Sequence, residues 1–264
     1  MSAENDLKGR VALITGASGG IGGACARKLA PYGIDLALTY SSSKAAIDEL
    51  VAQLQKEFPS VKITTHQADL SDTEQTLALC EEAAKAHGKP ISILVSNAGR
   101  GKRYPQIWDI PVDEFDLTIA TNLKASFLLC KGVAEGMRDQ KWGRIVFISS
   151  IAAYGAGVNG AHYAASKGGQ LGMMKNLSTR LAEHGITVND VAPAMIGDTG
   201  MFPSTDTVPG VVDTIPVGRL GKPGKGVIQR FELENEVANA VEMFVKTPYC
   251  TGQSVVVAGG LMHK

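Results

Sequence analysis

A doubly wound α/β fold, with a parallel sheet covered by helices on both faces, is predicted by this chain of 264 residues. Three observations carry that reading. Short apolar runs alternate with longer amphipathic segments along most of the length, as repeated strand–helix units do. The apolar runs hold few charges, as expected of strands buried on both faces. A glycine-rich turn, Thr15-Gly16-Ala17-Ser18-Gly19-Gly20-Ile21-Gly22, stands between the first such run and the first helix. Right-handed crossovers then wind the units into one sheet.

The elements follow in order. Residues 11–14 are a first strand, and 21–32 a helix closed by Gly33. Residues 35–40 form a second strand. Segment 44–58 is an amphipathic helix, because Ile47, Leu50, Val51 and Leu54 share one face. Residues 61–66 alternate as a third strand. Ser71 is placed to cap a helix running to about residue 87, with Glu74 completing a capping box. A fourth strand at 91–95 precedes a long helix over 112–140, with a break expected near 118–122. Strand 144–149, helix 161–184, strand 186–191 and a last strand at 254–258 complete the series. The irregular stretch 194–231 is rich in Gly, Pro and Thr and too long for a plain connection. It reads as a mobile substrate lid on a single domain spanning 1–264.

Composition narrows the function. Lys and Arg total 26, as do Asp and Glu, so no global charge draws the chain to nucleic acid or an anionic membrane. The cysteines Cys25, Cys80, Cys130 and Cys250 form no CxxC pair and read as reduced thiols. The short polar start shows no signal core, and no apolar run approaches the roughly 20 residues that span a bilayer. A soluble cytoplasmic protein is the expectation. His66, His87, His162, His184 and His263 are scattered, so no metal site is expected. His162 reads as a surface residue at a helix start, and Trp108 and Trp142 as packing residues.

Two motifs carry the chemistry. In the turn, Gly16, Gly20 and Gly22 let the backbone approach a pyrophosphate, with Ser18 and Ile21 beside them. The helix that follows offers free N–H groups to it. The end of the second strand, Tyr40-Ser41-Ser42-Ser43-Lys44, has no carboxylate to hold a ribose diol. Its hydroxyls, the next helix start and Lys44 suit a 2′-phosphate, and the expected cofactor is NADP(H). Ser42 or Ser43 can also cap that helix. Further on, Tyr163 and Lys167 stand one helical turn apart, and Ser150 ends the fifth strand. A cation beside a phenol favours phenolate and makes tyrosine a usable proton relay. Lys167 can also hold the nicotinamide ribose, and Ser150 can orient a substrate carbonyl.

These residues together resemble the short-chain dehydrogenase/reductase family over nearly the whole chain. The turn resembles the family's cofactor turn. Asp69-Leu70 resembles its adenine-contacting pair, and Asn97-Ala98-Gly99 the tripeptide closing its fourth strand. Asn122, Ser150, Tyr163 and Lys167 match its catalytic residues, with Asn122 implied in a proton relay. The resemblance adds Pro193, Ile196 and Thr199 to the cofactor contacts. It implies seven parallel strands and a homotetramer built on helices 112–140 and 161–184. It further implies NADPH-dependent reduction of a ketone, foremost a 3-oxoacyl thioester delivered by an acyl carrier protein. Polyketide-derived, cyclic or sugar ketones are the alternative substrates, and a non-catalytic NADP-binding scaffold the alternative of another class. The family's carrier-docking positions fall on Lys141 and His184, and Arg100, Lys102 and Arg103 form a basic loop that either meets an acidic partner or is simply solvated. The chain departs from the pattern at Ser96, Ala194, Gly197-Asp198, Ala258 and an added stretch at about 222–233.

Overall fold

Alternate residues of each central strand go to opposite faces, and this builds two cores around one sheet. The structure is a computed structural model, which describes residues 5–202, 204–223 and 235–261. The strands are β1 (Val11–Ile14), β2 (Asp35–Tyr40), β3 (Ile63–Gln67), β4 (Ile93–Ser96), β5 (Gly143–Ile148), β6 (Ile186–Pro193) and β7 (Ser254–Val257). They lie in the order β3-β2-β1-β4-β5-β6-β7, and every neighbouring pair is parallel. Ala12, Ile14, Leu36 and Leu38 face one way, against α1 (Gly20–Leu29), α2 (Lys44–Glu57) and α7 (Glu236–Lys246). Val11, Leu13, Ile145 and Phe147 face the other way, against α3 (Thr73–His87), α5 (Ala125–Asp139) and α6 (Ala161–Leu181). The strand order reverses between β1 and β4, and a crevice opens there at the carboxyl ends of the strands.

Most expected boundaries move by two residues or fewer, and some features differ in kind. Asp72, not Ser71, caps α3: its carboxylate accepts from the N–H groups of Glu74 and Gln75. The Ser71 hydroxyl is instead donated to Asp69 at 2.8 Å, so the expected capping box does not form. The long helix breaks where expected. α4 (Val112–Thr118) passes through a π-helical stretch, Ile119–Lys124, into α5. Such stretches displace backbone groups from the regular ladder. Here side chains take the Asn122 carbonyl, with Ser126 Oγ at 2.7 Å and Gln170 Nε2 at 3.0 Å. His162 is fully buried rather than on the surface, with Nε2 3.0 Å from the Lys102 carbonyl and an edge-on contact with Tyr104. Trp142 packs as expected, sandwiched between the guanidiniums of Arg10 and Arg144, each 4.2 Å from its ring. Trp108 does not pack and is 78% exposed.

Cys25, Cys80 and Cys130 are buried free thiols, and burial pushes Cys25 and Cys80 up to about 12. No helix among the described residues is long and apolar enough to cross a membrane. Of the added stretch at 222–233, only Lys222 and Pro223 fall within the described residues.

Candidate active site

The glycine turn owes its shape to bonds from three strand ends. Thr15 Oγ1, after β1, accepts from the N–H groups of Asn97 and Ala98, after β4, at 2.9 and 3.0 Å. Asn97 Nδ2 returns a bond to the Thr15 carbonyl at 2.8 Å. Thr39 in β2 accepts from Gly16 N through its hydroxyl and from Ala17 N through its carbonyl. Gly16 sits at φ 64, where side chains are disfavoured. A Cβ at Gly22 would lie 2.4 Å from the Gly16 carbonyl oxygen, so only glycine lets α1 start this close to the turn.

Beyond the turn lies a cavity of about 490 Å³. It gathers nearly every residue singled out from the sequence. Gly16, Ser18, Gly20 and Ile21 line its floor, and Tyr40, Ser41, Ser42 and Ser43 line one end beside Asp69 and Leu70. Asn97, Ala98 and Gly99 form the middle, and Ser150, Tyr163, Lys167, Pro193, Ile196 and Thr199 the far end. Gly22 and Asn122 stand behind this wall and do not line it. Sequence reasoning did not single out Thr39, Ser149, Asn159 and Met201, which also line the cavity. For Thr39 a signal existed, a hydroxyl in an otherwise apolar strand; the other three are placed by long-range packing.

At the far end Tyr163 and Lys167 are buried, one turn apart on α6. Lys167 Nζ donates to the Ile148 carbonyl at 2.9 Å and lies 5.7 Å from the centre of the Tyr163 ring. Burial lowers the Lys167 ammonium to about 8, with Asp190 acting against that fall. Burial raises the Tyr163 phenol to about 12, with the neighbouring Ser150 hydroxyl pulling it back. Asn122 ties the wall together from behind. Its Oδ1 accepts from Arg100 N at 2.7 Å, and its Nδ2 donates to the Arg100 carbonyl and to Ser166 Oγ, both at 2.9 Å. Ser166 Oγ donates in turn to the Tyr163 carbonyl. Ser96, one of the departures, joins this network through Ser126 Oγ at 2.9 Å.

The residues present fit a dinucleotide. The turn is a backbone cradle that a Cβ would fill, since one at Gly16 would stand 3.1 Å from Ala98 Cα. The first turns of α1 and α2 contain no acidic residue. Ser43 occupies the N-cap of α2 without a side-chain capping bond, so its hydroxyl is not spent on the helix. Lys44 is turned to Asp48 at 2.7 Å, an exposed pair that can open at little cost. Asp35 lies at the other end of β2, accepting from Lys62 N.

The basic positions fall outside the cavity, whereas the departures after β6 lie along it. Arg100 forks onto the Glu114 carboxylate at 2.6 and 2.7 Å while its side chain stays 39% exposed, so the basic loop is solvated with one charge already paired, and Lys102 lies over the Tyr104 ring. Lys141 and His184 precede β5 and β6, at the amino end of the sheet. In the segment after β6, left-handed backbone falls on Met195, at φ 50, directly after Ala194, and on Asp198, at φ 54. The Thr199 hydroxyl is engaged within that segment, donating to the Ile196 carbonyl at 3.0 Å.

Comparison with known proteins gives the same picture. A family model described as short chain dehydrogenase matches residues 10–208. The 3-oxoacyl-[acyl-carrier-protein] reductase FabG of Rickettsia conorii is 35% identical over 260 residues, covering 97% of this chain and 98% of that protein. A blue fluorescent protein from a metagenomic library, solved in complex with NADPH, is 32% identical with a TM-score of 0.85, covering 98% of this chain and all, 100%, of the other. A short chain dehydrogenase from Burkholderia cenocepacia, in complex with NADP, is 29% identical with a TM-score of 0.83, over 97% and 99% of the two chains.

Proposed function

The chain belongs to the short-chain dehydrogenase family, and from that premise we propose that it is an NADPH-dependent reductase that turns a ketone, foremost a 3-oxoacyl thioester, into a secondary alcohol. One observation carries the reading: Ser150, Tyr163 and Lys167 share one end of a cavity whose other end is a glycine turn and a serine-rich helix start. When bound, the nicotinamide supplies the hydride to the carbonyl carbon. The protein's residues do the rest. Ser150 holds the carbonyl oxygen, and the Tyr163 hydroxyl gives it a proton as the alcohol forms. Lys167 stabilises the resulting phenolate and holds the ribose. Asn122 supports the path by which Tyr163 regains its proton. Gly16, Ser18, Gly20, Ile21, Asp69, Leu70 and Asn97 to Gly99 hold the dinucleotide, with Ser41 to Ser43 around the 2′-phosphate. Pro193, Ile196 and Thr199 bound the nicotinamide side, and segment 194–231, whose residues 203 and 224–231 lie outside those described, serves as lid on a single domain.

An acyl substrate is favoured by a second pocket, of about 320 Å³, that shares Ile151, Gly157, Val158 and Met195 with the cavity. Its further lining includes Ala156, Val208, Val211 and Leu261, with no charged side chain. An apolar tail gains roughly 0.8 kcal/mol per buried CH₂ in such a site, whereas a sugar would lose its hydrogen bonds. The test is NADPH consumption with a 3-oxoacyl thioester, offered free and on an acyl carrier protein. Faster turnover on the carrier would add the carrier as partner. No turnover on either, with a cyclic apolar ketone reduced instead, would overturn the acyl assignment.

The cofactor assignment has its own test. Ser41 is exposed and lines the cavity. Ser41→Asp places a carboxylate against a 2′-phosphate, and like charges at such range cost roughly 1–3 kcal/mol at intermediate dielectric. NADPH affinity should fall by roughly tenfold to a hundredfold while NADH affinity holds, in fluorescence titrations of both. Equal losses for the two would remove the phosphate from this corner. The proposed assembly is a homotetramer in which α4, α5 and α6 meet other subunits. Phe115 and Phe127 stand 42% and 53% exposed there, and a monomeric sedimentation mass would contradict it.

A further inference from the structure

One buried acid has no part in the chemistry above. Asp190, in an otherwise uncharged strand β6, is fully buried. Its Oδ2 accepts from Ser254 Oγ on β7, while its Oδ1 makes no hydrogen bond of regular geometry among the described residues, with Ser149 beside the carboxylate. A buried carboxylate in that condition is costly unless a cation compensates it.

The fold supplies the cation. Asp190 pairs in register with Phe147 and so faces the side of the sheet that α6 covers. Helix α6 starts at the carboxyl ends of the strands, beside Ser150, and leads back to the amino end of β6. Four residues back along α6 therefore cover about 6 Å, nearly the same span as two residues forward along β6, about 6.6 Å. Leu171 and Val188 belong to one core cluster, and those two steps lead to Lys167 and Asp190. Lys167 Nζ is anchored on the carbonyl of Ile148, the residue after Phe147. The groups facing Asp190 are Phe147 from β5 and Ser149 just after it, Ser254 from β7 and Lys167 from α6, and the cation acting on it is Lys167. Around Lys167 the facing groups are the Ile148 carbonyl, Tyr163 and Asp190.

We propose that Asp190 is a positioning residue for Lys167, a buried countercharge that keeps its ammonium protonated and held between Tyr163 and the Ile148 carbonyl. Burial alone drives a lysine toward its neutral form, which cannot stabilise a phenolate. A buried anion opposes that drift without touching substrate. The effects run both ways: burial raises the Asp190 carboxyl, and Lys167, Ser149 and Ser254 act to keep it charged. This inference rests on the role proposed for Lys167, but its test needs no substrate.

The test is a pH titration of the cofactor-free protein with lysines isotopically labelled at the ε-carbon, followed by NMR. The signal that disappears in Lys167→Met identifies Lys167. Its midpoint in the unaltered protein should lie at about 8. In Asp190→Asn, which keeps shape but not charge, the midpoint should fall by about one pH unit or more. An unmoved midpoint in a folded Asp190→Asn overturns the proposal. Should that variant fail to fold, Ser254→Ala carries the test. Losing the serine bond favours protonated Asp190, so the Lys167 midpoint should again fall, by less, and an unmoved midpoint overturns the proposal. A shifted midpoint in a protein that reduces no thioester would sink the acyl-reductase reading and leave this one standing.

Discussion

Tyr163→Phe should lower kcat/KM for ketone reduction by roughly 10²- to 10⁴-fold while leaving NADPH affinity within about threefold. The substitution removes one hydroxyl and keeps the largely buried ring in the cavity wall. What is lost is a proton source, so the loss should fall on kcat rather than on binding. The environment of Tyr163 fits a donor. Its phenol is raised to about 12 by burial, which keeps it protonated at neutral pH before reaction. Lys167, on the next helical turn, acts on Tyr163 only once the proton has left, because it stabilises phenolate and not phenol. Substantial residual kcat in Tyr163→Phe would mean that Ser150 or solvent delivers the proton, and the roles along this wall would have to be reassigned.

The local signals in the chain were strong where one segment settled the outcome. The glycine turn sits between an apolar run and a helix, and Gly22 is needed because the Gly16 carbonyl lies where a Cβ would go. The break in the long helix was also legible, and it falls on the π-helical stretch that contains Asn122. Signals failed where a partner far along the chain decides. Ser71 and Asp72 are both good caps, and the choice went to Asp72 because Asp69 engages the Ser71 hydroxyl. His162 looked like a surface residue until loop 100–104 folded over it. Met195 takes a left-handed backbone that sequence alone assigns to glycine or asparagine. The acid in β6 was visible as one charge in an apolar strand, but nothing local said that α6 would set a lysine above it. Substrate identity is the least legible part, because the second pocket is built from four separate segments of the chain.

Lys167→Met should separate activity from stability. Turnover should fall by roughly 10²-fold or more, and NADPH should bind more weakly, because the same ammonium is assigned to the phenolate and to the ribose. The pH profile gives the sharper sign. Reduction needs Lys167 charged, so kcat/KM in the unaltered enzyme should decline as pH rises through about 8, and that limb should vanish in the variant. Stability should move the other way. The folded ammonium titrates at about 8 against an ordinary 10.5, so the unfolded chain binds more protons between those values. Stability then rises with pH across that window, and below it the buried charge costs the full difference, about 3 kcal/mol. Removing the charge at pH 7 recovers that cost, less whatever is lost by stranding Asp190 without its cation. The double variant Lys167→Met/Asp190→Asn strands nothing and should show the gain in full, as a higher denaturation midpoint in an enzyme with almost no turnover. If instead both variants unfold more readily than the parent, Lys167 stabilises the fold in its own right, and its place beside Tyr163 no longer needs catalysis to account for it.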